Sequence, residues 1–311
     1  MIKQTLYFGN PAYLSLKNKQ MVIRLPEVEK NDSLPDSFKE NTVITRPVED
    51  IGVVILDHWQ ITVTQGLLTA LLENNAAIIH CNDAHHPIGL ILNLDGHTLQ
   101  TQRFKAQIEA TEPLKKQLWQ QTVVRKIENQ AALLQSQGKD IKTLEFMIRN
   151  VKSGDPDNFE ARAAAYYWGQ LFLEHISGFT RDRNGQPPNN MLNYGYAILR
   201  ATVARALVGS GLLPTLGIFH RNQYNAYCLA DDIMEPYRPF VDRAVLQYLQ
   251  TGKEIPETLN LDAKQHLLKI LQQDIFFDND RSPLMVGLTK TTASLSACFE
   301  GTKRKINYPK I

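Results

Sequence analysis

The chain is predicted to be α+β, with a small N-terminal β-rich domain over residues 1–95 and a larger all-α domain over residues 96–311. Three observations predict it. Up to residue 94, short apolar runs alternate with turn-forming residues at strand spacing. After Gly96, apolar residues recur on a 3.6-residue period over stretches much longer than a strand. The length of 311 residues, with 43% hydrophobic and 21% charged, supplies core enough for two domains and describes an ordinary globular chain.

The elements follow in order. "AYLSL" and "MVIRL" flank the turn "KNK" and read as a hairpin; "GVVILD" and "ITVT" flank "HWQ" and read as a second one. Between them "EKNDSLPDSFKEN" is polar and turn-rich, so a loop is expected. Thr64 is placed to cap a helix over "QGLLTALLENN". "AAIIHC" and "IGLILNL" read as two buried strands joined by the loop "NDAHHP". The domains join near residues 92–102. Beyond that point "QRFKAQIEATEPLKKQLWQQTVVRKIENQAALLQSQG", "FEARAAAYYWGQLFLEHI", "MLNYGYAILRATVARALVGSG" and "DAKQHLLKILQQDIFF" all carry the helical period.

Several functions are disfavoured by what is missing. No GxGxxG follows a strand, and neither GxxxxGK[ST] nor GxSxG occurs, which argues against dinucleotide redox chemistry, a P-loop nucleotidase and an α/β-hydrolase nucleophile. The three cysteines are odd in number and widely spaced, so neither a disulfide scaffold nor a thiolate zinc site is expected; a reducing cytoplasm is. "MIKQTLYFGN" lacks the apolar core of a signal peptide, and no apolar run reaches the roughly 18 residues of a membrane span. The net charge of +2 gives little general pull toward nucleic acid. The end is different: Arg281, Lys290, Lys303, Arg304, Lys305 and Lys310 face one acid, Glu300, over residues 281–311. "TKRKINYPK" is either a solvated tail or a phosphate-binding patch.

The densest chemistry lies in "CLADDIMEPYRPFVD", where Asp231, Asp232 and Glu235 fall within five residues. On a helix, Asp231 and Glu235, like Asp232 and Glu235, project to nearly one face. Like charges so placed repel unless solvated or bridged by a cation. Pro236 ends or kinks the helix there. His220, fifteen residues before Glu235, follows an apolar run; it is either a satisfied core histidine or part of a mixed histidine–carboxylate site for Mg²⁺ or Mn²⁺. Glu160 has two readings as well. "DPDNFE" fits a capping box with Asp157 as N-cap and Glu160 at N3, and a carboxylate engaged there is not available to a metal. "HCNDAHHP" holds His80, Cys81, Asp83, His85 and His86, but its spacing fits no zinc pattern, and it reads as a loop.

Taken together, "FEARAAAYYW", "NNMLNYGYAILRATVARALVGSGLLPTLGIFH", "LADDIMEPYRPFVD" and "VILDHWQITVTQGLLTALLENNAAIIHCNDAHHPIGLILNL" resemble the CRISPR adaptation integrase, the first CRISPR-associated protein, over roughly residues 50–300. The run from Asn190 to Asp242 carries most of the specificity. The resemblance implies that Glu160, His220 and Glu235 are metal ligands and that Asp232 is a further acid of the catalytic site. Many members have aspartate where Glu235 stands, and glutamate there is similar to type II systems. Also implied are a Mg²⁺ or Mn²⁺ cofactor, insertion of short foreign DNA into a CRISPR array by 3′-hydroxyl attack on a phosphodiester, and accompanying nuclease activity. The implied partners are double-stranded and branched DNA, a second copy of the chain paired through the β-rich domain, and a small ferredoxin-like second CRISPR-associated protein bridging two such dimers into a heterohexamer. Other type II adaptation and effector proteins are further candidates; a membrane is not. Position beside the motifs nominates Arg162, Arg221, Arg238, Lys290, Lys303, Arg304 and Lys305 for phosphate contacts. His220 must be neutral to bind a metal, so activity is expected to fall below about pH 6.5.

Two other readings compete. "DDIME" is a D-D-x-x-E string of the kind that binds Mg²⁺-diphosphate in isoprenoid synthases, but "FDNDRSP" is not a properly spaced second motif. A non-catalytic DNA-binding assembly protein would show DNA binding indifferent to divalent metal.

Overall fold

The run Ile-Gly-Val-Val-Ile-Leu at residues 51–56 is buried along its whole length, the pattern of a strand covered on both faces. It is the fifth strand of the chain and organises the N-terminal part. The computed structural model describes residues 3–278 and 280–311, with the side chains of Asp36 and Phe38 outside the description. By its contacts the chain divides into two compact units, Met1–Leu94 and Asp95–Ile311.

The first unit contains β1 (Gln4–Phe8), β2 (Ala12–Lys17), β3 (Gln20–Arg24), α1 (Pro26–Glu29), α2 (Asp36–Asn41), β4 (Ile44–Pro47), β5 (Ile51–Leu56), β6 (Ile61–Val63), α3 (Gln65–Glu73), β7 (Ala77–Cys81) and β8 (Pro87–Ile91). One sheet runs β1-β5-β7-β8, parallel except for the antiparallel β7–β8 pair; the other runs β4-β3-β2-β6. Leu14, Met21, Ile51, Val54, Leu67, Leu71 and Ile78 belong to one shared core.

The hairpin over "AYLSL/MVIRL" forms as predicted, and "AAIIHC" and "IGLILNL" are both strands, paired with each other, but the second is only partly buried, with Ile88 exposed. The hairpin of "GVVILD" with "ITVT" does not form. Both edges of β5 are taken by β1 and β7, so "HWQ" carries the chain to the second sheet, where β6 pairs parallel with β2. Thr64 precedes α3 as the cap residue, but its side chain makes no capping bond. The expected loop over "EKNDSLPDSFKEN" contains the last residue of α1 and all of α2.

The second unit is mostly helical: α4 (Gln100–Ile108), α5 (Glu112–Ser136), α6 (Lys142–Asn150), α7 (Phe159–Leu171), α8 (Asn189–Gly209), α9 (Cys228–Met234), α10 (Arg238–Gln250), α11 (Leu261–Leu268) and α12 (Leu284–Phe299). The 25-residue α5 is capped by Thr111, whose hydroxyl accepts from the Leu114 amide at 3.4 Å. Gly195 of α8 lets α10 approach closely, because a Cβ there would meet Val241 at 2.5 Å.

Two helices end earlier than their pattern predicts. α7 stops at Leu171, and Phe172 and Phe179 stack edge to face at 4.9 Å. "DAKQHLLKILQQDIFF" passes through a 3₁₀ turn and ends as β9 (Asp274–Phe277), which pairs with β10 (Asp280–Pro283). The unit is therefore not all-α. The signal was the alternation in "DIFF", where Ile275 and Phe277 are buried and Phe276 is exposed, followed by a turn-forming "DND". Among the described residues no helix is long and apolar enough to cross a membrane.

Candidate functional site

The acids of "DDIME" are not on a solvated face: Asp231, Asp232 and Glu235 are 6%, 0% and 6% exposed. A buried carboxylate requires a partner, and each has its own. Asp231 accepts from Arg200 Nε at 2.6 Å and from the Asn225 amide at 2.7 Å. Asp232 accepts from three consecutive backbone amides, Ile218 at 2.7 Å, Phe219 at 3.0 Å and His220 at 3.2 Å, and its Oδ1 lies 2.5 Å from His220 Nδ1. Glu235 accepts from Arg238 Nε at 2.8 Å, and its other oxygen lies 2.6 Å from Lys126 Nζ. The helical backbone continues through Glu235 into a 3₁₀ turn over Glu235–Tyr237, and the three side chains turn to separate partners instead of sharing one cation.

Asp232 is therefore the residue around which the loop before α9 is folded. That wrapping needs Gly217: a Cβ there would meet the His220 carbonyl oxygen at 2.3 Å and Asp232 Oδ2 at 2.8 Å. The loop delivers the His220 ring edge-on to Trp119 of α5, at 5.8 Å between centroids, while Phe219 stacks flat on the same indole at 4.2 Å. An Nδ1–H donated to Asp232 leaves Nε2 as the nitrogen with a lone pair, the arrangement that orients a ligating histidine. The hydrogen bond to Asp232 raises the His220 pKa above the ordinary histidine value, against burial, and the charges of Glu235 and Asp231 add to it.

Glu160 is released from the helix cap. Asp155 does the capping instead, its two oxygens accepting from the amides of Phe159 and Glu160 at 2.9 Å each. The residue before α7 is Asn158, in the left-handed region at φ 52°, and its side chain makes no capping bond. The capping box of Asp157 with Glu160 does not form. The Glu160 carboxylate instead bonds the ammonium of Lys126. Lys126 thus bridges Glu160 and Glu235, two acids 75 residues apart. Burial would push its ammonium pKa down, but Glu235 and Glu160 more than offset that and raise it. Burial likewise pushes the Glu235 carboxyl up, yet Arg238 and Lys126 together hold it at about 2.

Beside the two glutamates opens a cleft of about 220 Å³, lined also by Gln130, Trp168, Arg181, Tyr196, Arg238 and Asp242. The Asp242 carboxylate accepts from the hydroxyls of Tyr167 and Tyr196, and burial pushes its pKa up to about 7 despite them. The Arg238 guanidinium lies 4.6 Å over the Tyr196 ring.

Among the described residues no three His, Cys, Asp or Glu side chains are already gathered around one point as a metal would gather them. Lys126 stands between the glutamates, and the His220 ring is turned to Asp232. The donor set nevertheless fits a hard divalent cation: two carboxylates already converge on one positive charge, and the charges of His220 and Glu235 act on each other.

The nominated basic residues divide. Arg162 is exposed, its guanidinium 4.7 Å over Phe159. Lys303, Arg304 and Lys305 are exposed, and the latter two line an open groove of about 620 Å³ with Arg125. Arg221 is ion-paired with Glu112, and Lys290 with Asp280. Arg238 is turned inward onto Glu235, so it shapes the carboxylate site rather than a surface. The end of the chain is not a loose tail. Ile306, Tyr308 and Pro309 are buried, and Asn129 donates both to the Pro236 carbonyl at 2.8 Å and to that of Pro309 at 3.2 Å.

Sequence reasoning passed over Lys126, Asp155, Gly217 and Asp242. Lys126 had a readable signal: it sits three and seven residues beyond Val123 and Trp119, on the apolar stripe of α5.

With this geometry in place, the likeness to known proteins gains weight. The sequence model of the family described as CRISPR associated protein Cas1 matches residues 6–276. A protein of Neisseria meningitidis serogroup C (strain 8013), named CRISPR-associated endonuclease Cas1, is 37% identical over 314 aligned residues, covering 100% of this chain and 97% of that one. Among solved structures, a casposase bound to integration product superimposes with a TM-score of 0.75 at 18% identity, covering 99% of this chain and 93% of that one. A chain of a Cas6-RT-Cas1–Cas2 complex gives 0.72 at 19% identity, covering 97% of this chain and 35% of that one. At these identities the structural likeness is one of fold.

Proposed function

Because the chain belongs to the Cas1 family of CRISPR-associated proteins, we propose that it is a metal-dependent DNA endonuclease and integrase of CRISPR adaptation. It inserts short foreign DNA by attack of a 3′-hydroxyl on a phosphodiester at a repeat boundary. One observation carries the reading: Glu160 and Glu235, from distant parts of the chain, close on a single cation beside a histidine that Asp232 orients.

Glu160, Glu235 and His220 would hold the ion, Mg²⁺ or Mn²⁺. A divalent ion held there lowers the pKa of the attacking hydroxyl and stabilises charge on the phosphorane-like transition state. Asp232 is a positioning residue, since its lone pairs are spent on the loop amides and the His220 ring. Arg238 keeps Glu235 ionised. One phosphodiester breaks as another forms, so no nucleotide energy source is required, in keeping with the absence of a P-loop. Water in place of the hydroxyl gives hydrolysis.

The partners we propose are double-stranded and branched DNA, a second copy of the chain paired through the β-rich unit, and the small second CRISPR-associated protein, in a heterohexamer of two dimers bridged by one. The fold likeness to a chain of a Cas1–Cas2 complex supports the last. Three free cysteines suit a reducing cytoplasm. Glutamate at 235 favours a type II system.

The test is strand transfer and cleavage on a labelled branched DNA with Mn²⁺, wild type against Glu235→Ala. The expected result is joining and cleavage by the wild type and neither by the variant. Equal activity of the two would remove Glu235 from the site. DNA binding by both, without chemistry and indifferent to metal, would favour a non-catalytic assembly protein.

A further inference from the structure

Lys126 projects from α5 among Leu118, Trp119, Val123 and Ile127, and is 6% exposed. A lysine is buried at that depth only where its charge is compensated. One carboxylate would suffice for that. Lys126 has two, Glu160 from α7 and Glu235 from the turn after α9. The second is already neutralised on its other oxygen by Arg238. Two cations and two carboxylates therefore balance, and Lys126 is the counter-charge that both acids share at the point where they converge.

We infer that Lys126 is an exchangeable internal cation, which holds Glu160 and Glu235 together in the metal-free protein and yields its position when a divalent ion binds. The inference rests on the reading of these glutamates as metal ligands. Hard divalent ions take carboxylate oxygens at roughly 2.0–2.6 Å, and an ammonium in contact with the same oxygens faces direct repulsion from the ion. Lys126 has a flexible four-carbon stem and an adjoining cleft to move into, lined by Gln130, Trp168, Tyr196 and Asp242. Arg238 has no such freedom, because its guanidinium lies over the Tyr196 ring and its Nε is bonded to Glu235. The arrangement offsets carboxylate repulsion in the metal-free protein and lowers metal affinity by making the ion displace a charge. Lys126 stays protonated throughout, so the exchange moves one cation for another.

Two measurements on the full chain test it. Mn²⁺ binding is followed by calorimetry and by the thermal shift it produces, for wild type, Lys126→Met and Lys126→Arg. The expected result is Mn²⁺ affinity about tenfold tighter in Lys126→Met, with a lower melting temperature without metal and a larger gain with it, while Lys126→Arg stays near wild type. Independently, acylation of Lys126 in the wild type by an amine-reactive ester is quantified by mass spectrometry. It should be slow without metal and several-fold faster with saturating Mn²⁺, and in Glu235→Gln it should not respond to Mn²⁺. If the wild type binds Mn²⁺ but labelling ignores it, Lys126 is a fixed structural cation and the exchange is wrong. Unchanged or weaker Mn²⁺ affinity in Lys126→Met says the same. If the wild type binds no Mn²⁺ that Glu235→Gln abolishes, the metal reading itself fails and the exchange falls with it.

Discussion

Each unit contains a histidine paired with a buried aspartate. In the N-terminal unit His85 Nδ1 lies 2.9 Å from Asp57 Oδ1; in the helical unit His220 Nδ1 lies 2.5 Å from Asp232 Oδ1. In both, the aspartate side chain is 0% exposed and the imidazole 42% or 43%. The surroundings differ. The second oxygen of Asp57 accepts from the Tyr7 hydroxyl, so the pair ties β1, β5 and the β7–β8 turn together. The carboxylate of Asp232 also takes three loop amides, and the loop it shapes carries its histidine to the neighbourhood of Glu235. A histidine–aspartate pair is thus as much a turn clamp as a piece of a site. What separates the two is a second set of carboxylates around a cation, present beside His220.

The largest effect separating them comes from removing each aspartate. Asp232→Ala strands buried amides and the ring, and should cost about 3–5 kcal/mol of stability and about a hundredfold in strand transfer. Asp57→Ala should cost about 1–3 kcal/mol and leave the cleavage rate per folded molecule unchanged. Urea unfolding and single-turnover cleavage check both, and equal losses of activity would erase the distinction.

A pair of glycines gives the next contrast. Gly217→Ala, with its Cβ driven against the His220 carbonyl, should destabilise by about 1–3 kcal/mol. Gly66→Ala in α3, where nothing lies within 4 Å, should be neutral or stabilise by about 0.4–1 kcal/mol. Denaturation midpoints in urea decide this.

The pH dependence sharpens the comparison further. The folded His220 pKa is raised, so the stability it lends is fully present below its unfolded value of about 6.5 and lost as pH rises through the raised value. Metal binding runs the other way, because it needs the neutral ring. Mn²⁺ affinity should therefore begin to weaken above pH 6.5 as pH falls, earlier than an unperturbed histidine predicts. NMR titration of His220 in metal-free protein should show the raised value, and Asp232→Asn should bring it down. An ordinary value in both would remove the coupling.

The smallest effect belongs to the surface. Lys305→Ala should weaken DNA binding uniformly and reduce the salt slope by about one unit. Arg221→Ala should do less, because Glu112 already holds that charge. Binding isotherms at several salt concentrations distinguish them.

The sequence by itself determined the α+β class, the order of most elements and the stretch in which the candidate site is placed. Periodicity is a local property, and a 3.6-residue or two-residue repeat is readable wherever one face is buried. It also put His220, Asp232 and Glu235 in one short stretch. Only the tertiary structure decided what each acid does. Capping was legible before α7, but whether Asp155 or Asp157 supplies it turns on left-handed backbone at Asp155 and Asn158, which residue type alone does not dictate. The strand pairing of "ITVT" was misread because it depends on which edges of β5 are free, and β1, far away in the chain, had taken one. Lys126 was hidden for the same reason. A lysine on an apolar stripe is a local anomaly, and its meaning comes from two carboxylates 34 and 109 residues further on, which only folding brings to it.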